Sequence, residues 1–394
     1  MSRPARVVVL DHTGQLGGAE LALMRLCAAV DPARVRVIVV LFADGPLVAR
    51  LERLGVQVRV LPLAPGVGGA DRHAVGRSAW RAGASAARTA PFVLRLAWLL
   101  RSLRPDVVHA TSLKADLLAW PAARLTRLPL VWHVHDRISD DYLPARVARM
   151  FRWAARHGPD HVLVNSRATA STLLPLPRGW TLAHPGLAPE QVVADPDERL
   201  EPSPAVVGLV GRISPTKGQL EFVQACAEIA EGHPKARFRV VGAALFAERG
   251  YEARVRELAD RLALGDRLEF TGWVEDPAPE LDGLSVLVHA SPVPEPFGQV
   301  IVEAMARGVP VVATRGGGVE EIAYTPDGSS WCELVEPHDV AGMARAVDEV
   351  LRDPAVARLR ARAAWDDVRS RFGVDRTADE VTRVWELLAS RPRG

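Results

Sequence analysis

Short, Val-rich apolar runs alternate along the chain with stretches whose apolar residues recur every three or four positions. In the first half the runs fall at residues 6–10, 35–42, 56–63, 106–110, 130–133 and 161–164, and they are continuously apolar. Parallel strands covered on both faces have this pattern. Between them, residues 19–30, 47–54, 92–103 and 145–157 carry the i, i+3, i+4 spacing of amphipathic helices. A Pro- and acid-rich segment, PGLAPEQVVADPDERLEPSP, then interrupts the periodicity and reads as a linker. Alternation resumes beyond it, with strands expected at 205–210, 238–241, 268–271, 286–290 and 309–313 and helices at 219–230, 251–262, 299–307 and 340–352. A last amphipathic helix covers 375–388, with Trp385 on its apolar side. The whole predicts an α/β chain of two doubly wound units.

Length and composition agree with two folded domains: 394 residues, 48% hydrophobic and 24% charged. No apolar run reaches the ~18–20 residues of a membrane span. The N-terminal MSRPARVVVLDH is too short in its apolar part for a signal-peptide core, and Cys27, Cys226 and Cys332 are odd in number and far apart. These features lead us to expect the reducing cytoplasm. Net charge is +2 but uneven, with 25 Lys and Arg against 12 Asp and Glu in residues 1–187, and 24 against 35 in the remainder. A basic first half suits an anionic partner, or simply solvates an Arg-rich chain.

Several segments could carry chemistry. DHTGQLGGAE places Gly14, Gly17 and Gly18 between a strand and a helix, where backbone amides can approach an anion. The spacing is not the dinucleotide fingerprint, so a plain turn competes with a phosphate site, and a nicotinamide-dependent oxidoreductase is disfavoured. Gly316, Gly317 and Gly318 before Val319 form a second such entry. Arg212 and Lys217, in GLVGRISPTKGQ, are two cations in a strand-to-helix loop, placed to suit a diphosphate. In SPVPEPFGQVIVEAMARG, Glu295 sits in a Pro-rich loop and Glu303 inside an apolar helix, where a carboxylate needs a partner: a sugar or ribose diol, or an internal salt bridge. His133, His135 and Asp136 end a buried strand, as His109 does. We read the first two histidines as facing apart, which argues against a joint metal site and assigns one of them to the core. Asp195 and Asp197 read as a solvated turn rather than a metal-binding pair.

The run from GLVGRISPTKGQLEFVQACAEI through FRVVGAA to LEFTGWVEDPAPELDGLSVLVHASPVPEPFGQVIVEAMARGVPVVATRGGGVEEI, with GQLGGAE, VVHATS, VWHVHD and VLVNSRATA in the first half, resembles family 4 of the retaining glycosyltransferases. The resemblance covers nearly the whole chain. It implies the GT-B fold, two Rossmann-like doubly wound domains facing across a cleft: an acceptor-binding domain at 1–187, a linker at 188–204 and a donor-binding domain at 205–374, with the helix of 375–394 packing back on the first. It implies a nucleotide-sugar donor, a hydroxyl acceptor, retention of anomeric configuration and no metal or other cofactor. Arg212 and Lys217 match the diphosphate-binding cations, Glu295 the glutamate facing the donor sugar, and Glu303 the one bonding the ribose. Phe297, Gly298 and Gln299 would approach sugar and phosphates through backbone amides. His135 matches a histidine near the transferred sugar, Gly17 and Gly18 the N-terminal loop near the phosphates, and Gly272 to Val274 a stretch near the nucleobase. One departure is HPGLAPE, where the family usually has an Asn-Gly turn.

The stretch from Arg72 to Arg104 holds seven arginines, no acid, and Trp80, Phe92, Leu96 and Trp98. It reads either as a surface for an anionic membrane, guiding a lipid-linked acceptor and making the protein peripheral, or as solvated helices. Nucleic acid is not an expected partner. The expected product is a polysaccharide, glycolipid or glycosylated metabolite; the competing expectation is a catalytically silent nucleotide-sugar-binding scaffold.

Overall fold

Each of the Val-rich runs becomes a strand, and every strand pairing is parallel. The computed structural model describes residues 3–63, 79–244, 248–325 and 328–391, with 79–88 described by backbone alone. The chain divides into two compact units, Met1–Gly186 with Val374–Gly394, and Leu187–Gly373.

The first unit is a seven-stranded sheet in the order β3-β2-β1-β4-β5-β6-β7. Its strands are β1 (Ala5–Asp11), β2 (Val35–Leu41), β3 (Gln57–Val60), β4 (Val107–Ala110), β5 (Leu130–Val134), β6 (His161–Val164) and β7 (Trp180–Leu182). Helices α1 (Gly18–Ala29), α2 (Pro46–Arg53), α3 (Ala79–Leu103), α4 (Leu113–Thr126), α5 (Ala145–His157) and α6 (Arg167–Leu173) connect them. One core joins β1, β4 and β5 through Val8, Leu10, Val108 and Trp132 to Leu96 and Leu100 of α3 and Phe151 of α5. The other joins Val7, Val9 and Val39 to Leu23 and Leu26 of α1.

The second unit is a six-stranded sheet, β10-β9-β8-β11-β12-β13, made of β8 (Val206–Val210), β9 (Arg237–Val241), β10 (Leu268–Gly272), β11 (Val286–His289), β12 (Val311–Thr314) and β13 (Glu333–Val335). Its helices are α7 (Gln219–Gly232), α8 (Arg249–Arg261), α9 (Ala278–Asp282), α10 (Gln299–Met305), α11 (Val319–Ala323), α12 (Val340–Arg352) and α13 (Pro354–Arg371). Asp339 and Asp353 cap α12 and α13, their carboxylates accepting from Gly342 N at 2.8 Å and Val356 N at 3.1 Å. Helix α14 (Val374–Ala389) belongs to the first unit, where Val381, Val384, Trp385 and Leu388 fill the core around Val7 and Val9.

Periodicity leaves some elements unannounced. Strands β7 and β13 are three-residue edge strands, mostly half-buried, and so carry no continuous apolar run. Helix α13 buries Ala357, Ala361 and Ala364 on a stripe too weakly apolar to register as a hydrophobic face. The expected linker at 188–204 is instead part of the second unit, which begins at Leu187 and ends at Gly373. Two 3-10 turns, Pro189–Gln191 and Pro196–Glu198, order it. Asp195 and Asp197 are exposed, as a solvated turn should be, and both bind the guanidinium of Arg362, at 2.7 and 2.6 Å. Residues 72–78 of the basic stretch lie outside the described residues.

Candidate functional site

In both sheets the strand order reverses beside the first strand, between β8 and β11 in the second unit and between β1 and β4 in the first. Open parallel sheets bind ligands outside the carboxyl ends of the strands at such a reversal. The chemistry-bearing residues cluster there in each unit.

In the second unit, Arg212 follows β8 and Lys217 ends a 3-10 turn, Pro215–Lys217. Gly218 comes next at φ +71°, and a Cβ there would stand 1.9 Å from the Ala290 carbonyl oxygen, so only glycine lets the Lys217 turn lie against the end of β11. Lys217 Nζ donates to Glu295 Oε1 at 2.6 Å. The same oxygen accepts from Ser291 Oγ at 2.5 Å and stands 3.6 Å from His289 Nε2. Burial alone would raise the Glu295 carboxyl, but the Lys217 ammonium and His289 hold it well below the usual carboxylate range. Glu295 is thus kept ionised and fixed in place. Its backbone is pinned as well, since Gly318 N donates to Glu295 O at 2.9 Å and a Cβ on Gly317, at φ +67°, would meet that oxygen at 2.0 Å. The glycine triplet 316–318 therefore serves close packing against the Glu295 loop.

Arg212 pairs with Glu248 at 3.5 Å. Glu303, 8% exposed on α10, accepts from Gln299 Nε2 at 2.8 Å and Gln191 Nε2 at 3.1 Å, so amide donors from its own helix and from the 188–204 segment hold it. Phe297 is buried and meets Phe372 edge-on at 5.6 Å, which leaves only its backbone for a ligand. Gly298 adopts φ +108° at the start of α10. Gly272 ends β10 at φ +76°, bridged to Gly242, with Val274 half-buried and Trp273 exposed beside it.

In the first unit, the buried Asp11 ends β1 and accepts from Thr111 Oγ1 at 2.7 Å. His12 Nδ1 is 2.9 Å from Ser112 Oγ and 3.2 Å from Asp11 Oδ1. Gly17 caps α1 and Gly18 begins it; a Cβ on Gly17 would stand 2.5 Å from Glu20 Oε2. Burial first, and then the Asp11 carboxylate, push Glu20 up to about 7. Asp116, in the first turn of α4, is wholly buried, and among the described residues neither of its oxygens has a hydrogen-bond partner; burial and the charges of Asp136 and Asp11 raise it well above the usual range. Among the described residues, Asp11, His12 and Glu20 form one trio whose ligand atoms lie within 4.8 Å of one another, close enough to hold a metal ion.

The histidine reading needs correction. Residues two apart along an extended strand share a face, and the His133 and His135 rings lie 4.1 Å apart rather than facing apart. His133 is buried, with the His109 ring 5.4 Å away, and His109 Nδ1 accepts from Trp385 Nε1 at 2.9 Å. Burial lowers His109 to about 3 and, against the pull of Asp136 and Asp11, His135 to about 4. All three rings are therefore neutral near pH 7. His135, half-buried, belongs with Asp136 and Asp11 at the edge of the sheet.

Residue-type reasoning missed His289, Ser291, Glu248 and the group of Asp11, Glu20 and Asp116. A signal for two of them exists: β4 runs on as VVHAT and β11 as VLVHAS, so the strand beside each reversal ends in His-Ala-hydroxyl, and each hydroxyl bonds a carboxylate.

Two doubly wound parallel sheets with cations and carboxylates gathered at their carboxyl edges define a GT-B glycosyltransferase. Residues 194–366 match the family described as Glycosyl transferases group 1, and residues 16–187 match Glycosyltransferase Family 4. The 2-deoxystreptamine N-acetyl-D-glucosaminyltransferase of Streptomyces fradiae is 32% identical over 96% of this chain and 93% of its own. The 2-deoxystreptamine glucosyltransferase of Streptomyces kanamyceticus is also 32% identical, over 95% of this chain and 100% of its own. Among solved structures, Anabaena Alr3699/HepE in complex with UDP-glucose superposes with a TM-score of 0.80 at 27% identity, covering 97% of this chain and 99% of that one. The chain belongs to glycosyltransferase family 4, and it is an enzyme that acts on a nucleotide sugar.

Proposed function

We propose that the enzyme transfers a hexose from a uridine-diphosphate sugar to a hydroxyl of a small polyhydroxylated acceptor, with retention of configuration and without a metal. The observation that carries this reading is Lys217 bonded to a fixed, ionised Glu295, with Arg212 in the same strand-to-helix loop, at the strand reversal of the second unit. Paired cations at a diphosphate do the charge-neutralising work that a metal does elsewhere. The UDP-glucose held by the Anabaena relative supports the choice of donor, and the two Streptomyces relatives, named for 2-deoxystreptamine, support a small cyclitol as acceptor. The product is then a glycosylated metabolite rather than a polysaccharide.

In this reading the diphosphate lies against Arg212 and Lys217, and Glu303, braced by Gln299 and Gln191, accepts from the ribose diol. Glu295 accepts from hydroxyls of the donor sugar. The backbones of Phe297, Gly298 and Gln299 approach sugar and phosphates, and those of Gly272 and Val274 the base. In the first unit, Gly17 and Gly18 serve the phosphates and His135 the transferred sugar. The acceptor oxygen bonds to the anomeric carbon on the face from which UDP leaves; the bond from that carbon to the diphosphate oxygen breaks, and the acceptor proton departs on the phosphate. Arg212 and Lys217 stabilise the charge that develops on the leaving group.

The test is a thermal-shift panel of UDP, GDP, ADP, dTDP and CMP, with and without magnesium, on wild type and Lys217→Ala. A ligand at about 100 times its Kd stabilises by about 2.7 kcal/mol. We expect a magnesium-independent shift with UDP that Lys217→Ala abolishes; a shift that requires magnesium, or favours another nucleotide, overturns the assignment. The anomeric coupling constant of the product, read by NMR, decides retention.

A second reading, peripheral attachment to the cytoplasmic face of a membrane, draws on the exposed Leu94 and Trp98 of α3 and Met150 and Trp153 of α5, with Arg95 and Arg101 near the first pair. Among the described residues no helix is long and apolar enough to cross a membrane. Flotation with anionic vesicles at moderate salt tests the attachment, and absence of binding removes it.

A further inference from the structure

Glu295 draws its neighbours from two strand ends of the second unit. Lys217 comes from the turn after β8, His289 ends β11, and Ser291 lies two residues beyond. All three face one oxygen, Oε1, but they do not hold it equally. Lys217 bonds it at 2.6 Å, yet Lys217 is also the cation placed at the diphosphate in the donor reading. Ser291 has a single hydroxyl hydrogen and two acceptors within reach, Glu295 Oε1 at 2.5 Å and Thr216 O at 2.9 Å. His289 Nε2 stands 3.6 Å from Oε1, beyond hydrogen-bond distance, and among the described residues it has no hydrogen-bond partner. Its side chain is 4% exposed, so the nitrogen has no water to turn to. A buried ring nitrogen left unpaired beside a carboxylate is costly unless the site uses it.

We propose that His289 is a positioning residue, the stand-in partner that takes Glu295 Oε1 as the diphosphate draws Lys217 away. The inference rests on the donor reading above and adds a residue that acts while the donor loads. An enclosed carboxylate stripped of its cation is strongly destabilised unless another donor takes over. Without His289 that cost falls on donor binding. Ser291 would have to commit its one hydrogen to Glu295 and release Thr216 O, in the same turn that carries Lys217. With His289, a closure of roughly half an ångström brings Nε2 to hydrogen-bond distance. The surroundings hold the ring ready for that step. Its strand lies between β8 and β12, its Nδ1 faces Thr314 Oγ1 at 3.5 Å, and Thr314 also donates to Ser291 O at 2.8 Å. Glu295 thereby keeps its position whether Lys217 serves it or the diphosphate.

The experiment measures two quantities on the full chain: the denaturation midpoint without ligand, and the Kd for UDP by calorimetry. The proteins are wild type, His289→Leu, His289→Gln, Glu295→Gln, the double variant His289→Leu with Glu295→Gln, and Lys217→Ala. Because His289 is unpaired while Lys217 holds Glu295, His289→Leu should unfold at the wild-type midpoint or above it. Its affinity for UDP should fall about 10-fold, the usual worth of a hydrogen bond to a charged group. His289→Gln, which keeps an N–H donor, should recover most of that loss. In the Glu295→Gln background no carboxylate needs a new partner, so adding His289→Leu should change UDP affinity by less than about 2-fold. UDP affinity unchanged in His289→Leu overturns the proposal. So does a loss that persists in the Glu295→Gln background, since His289 would then act on the donor or the fold without Glu295. A lowered midpoint with UDP affinity intact makes the histidine an ordinary core residue and overturns it as well. Failure of wild type to bind UDP, or binding indifferent to Lys217→Ala, strikes the donor reading itself and this proposal with it.

Discussion

Lys217 shows how much of this site depends on one side chain held in a particular place. Its ammonium serves Glu295 at 2.6 Å, and Gly218 behind it allows the turn to lie against Ala290. Lys217→Ala removes a cation from the proposed diphosphate site and leaves Glu295 with Ser291 and His289. Removal of one preorganised electrostatic group costs about 2.7–4 kcal/mol in other enzymes, or about 100- to 1,000-fold in rate. We expect kcat/KM to fall by about that factor while the unfolding midpoint in denaturant stays near wild type, because the side chain is partly exposed and outside the cores. Turnover within a few-fold of wild type would remove Lys217 from the donor site. Gly218→Ala reaches the same turn by another route: the added methyl must displace it from β11, so donor affinity should weaken although residue 218 offers the donor no side chain.

Helix α14 makes the corresponding case for a whole element, since it is last in sequence yet fills a core built on the first strand. Trp385, fully buried, donates to His109 Nδ1 and packs with Val7 and Val9. Trp385→Ala should destabilise the first unit by about 3–5 kcal/mol, by the usual cost of emptying a buried aromatic site. Denaturation followed by far-UV circular dichroism checks this, and a loss under about 1 kcal/mol would show that the helix is dispensable to that core. The sequence announces α14 through its period but not its destination. The same division runs through the site. Arg212, Lys217, Glu295 and Glu303 stand out because charged groups among glycines, prolines and apolar residues are locally anomalous. Asp11, Glu20, Asp116 and Asp136 do not, for each is an ordinary acid at a strand end or in a first helical turn, and only the order β1-β4-β5 brings them together. His135 was misjudged for a different reason: residues two apart along a strand share a face, so the His133 and His135 rings meet instead of diverging.

For the molecule as a whole, the distribution of cores along the chain has a consequence that can be measured. The second unit is one continuous stretch, 187–373, whose two cores draw every residue from within it, including Leu187 at one end and Phe372 at the other. Its ends are tied together, Leu187 N donating to Phe372 O at 2.7 Å, and Arg212, Lys217, Glu295, Glu303 and Gln191 all lie inside. The first unit is discontinuous, and residues 1–186 alone lack the helix that covers Val7 and Val9. A segment with a complete core and closed ends can fold by itself, whereas one that exposes a core face cannot bury enough apolar surface to offset its conformational entropy. Residues 187–373 expressed alone should therefore unfold cooperatively and bind UDP within about 10-fold of the full chain. Residues 1–186 alone should be aggregated or molten, and should be rescued when the α14 sequence is fused to their end. Cooperative unfolding of 187–373 without UDP binding would mean that the donor site needs more than the residues named here. Cooperative unfolding of 1–186 would mean that α14 is an accessory, and the Trp385 prediction would fail with it.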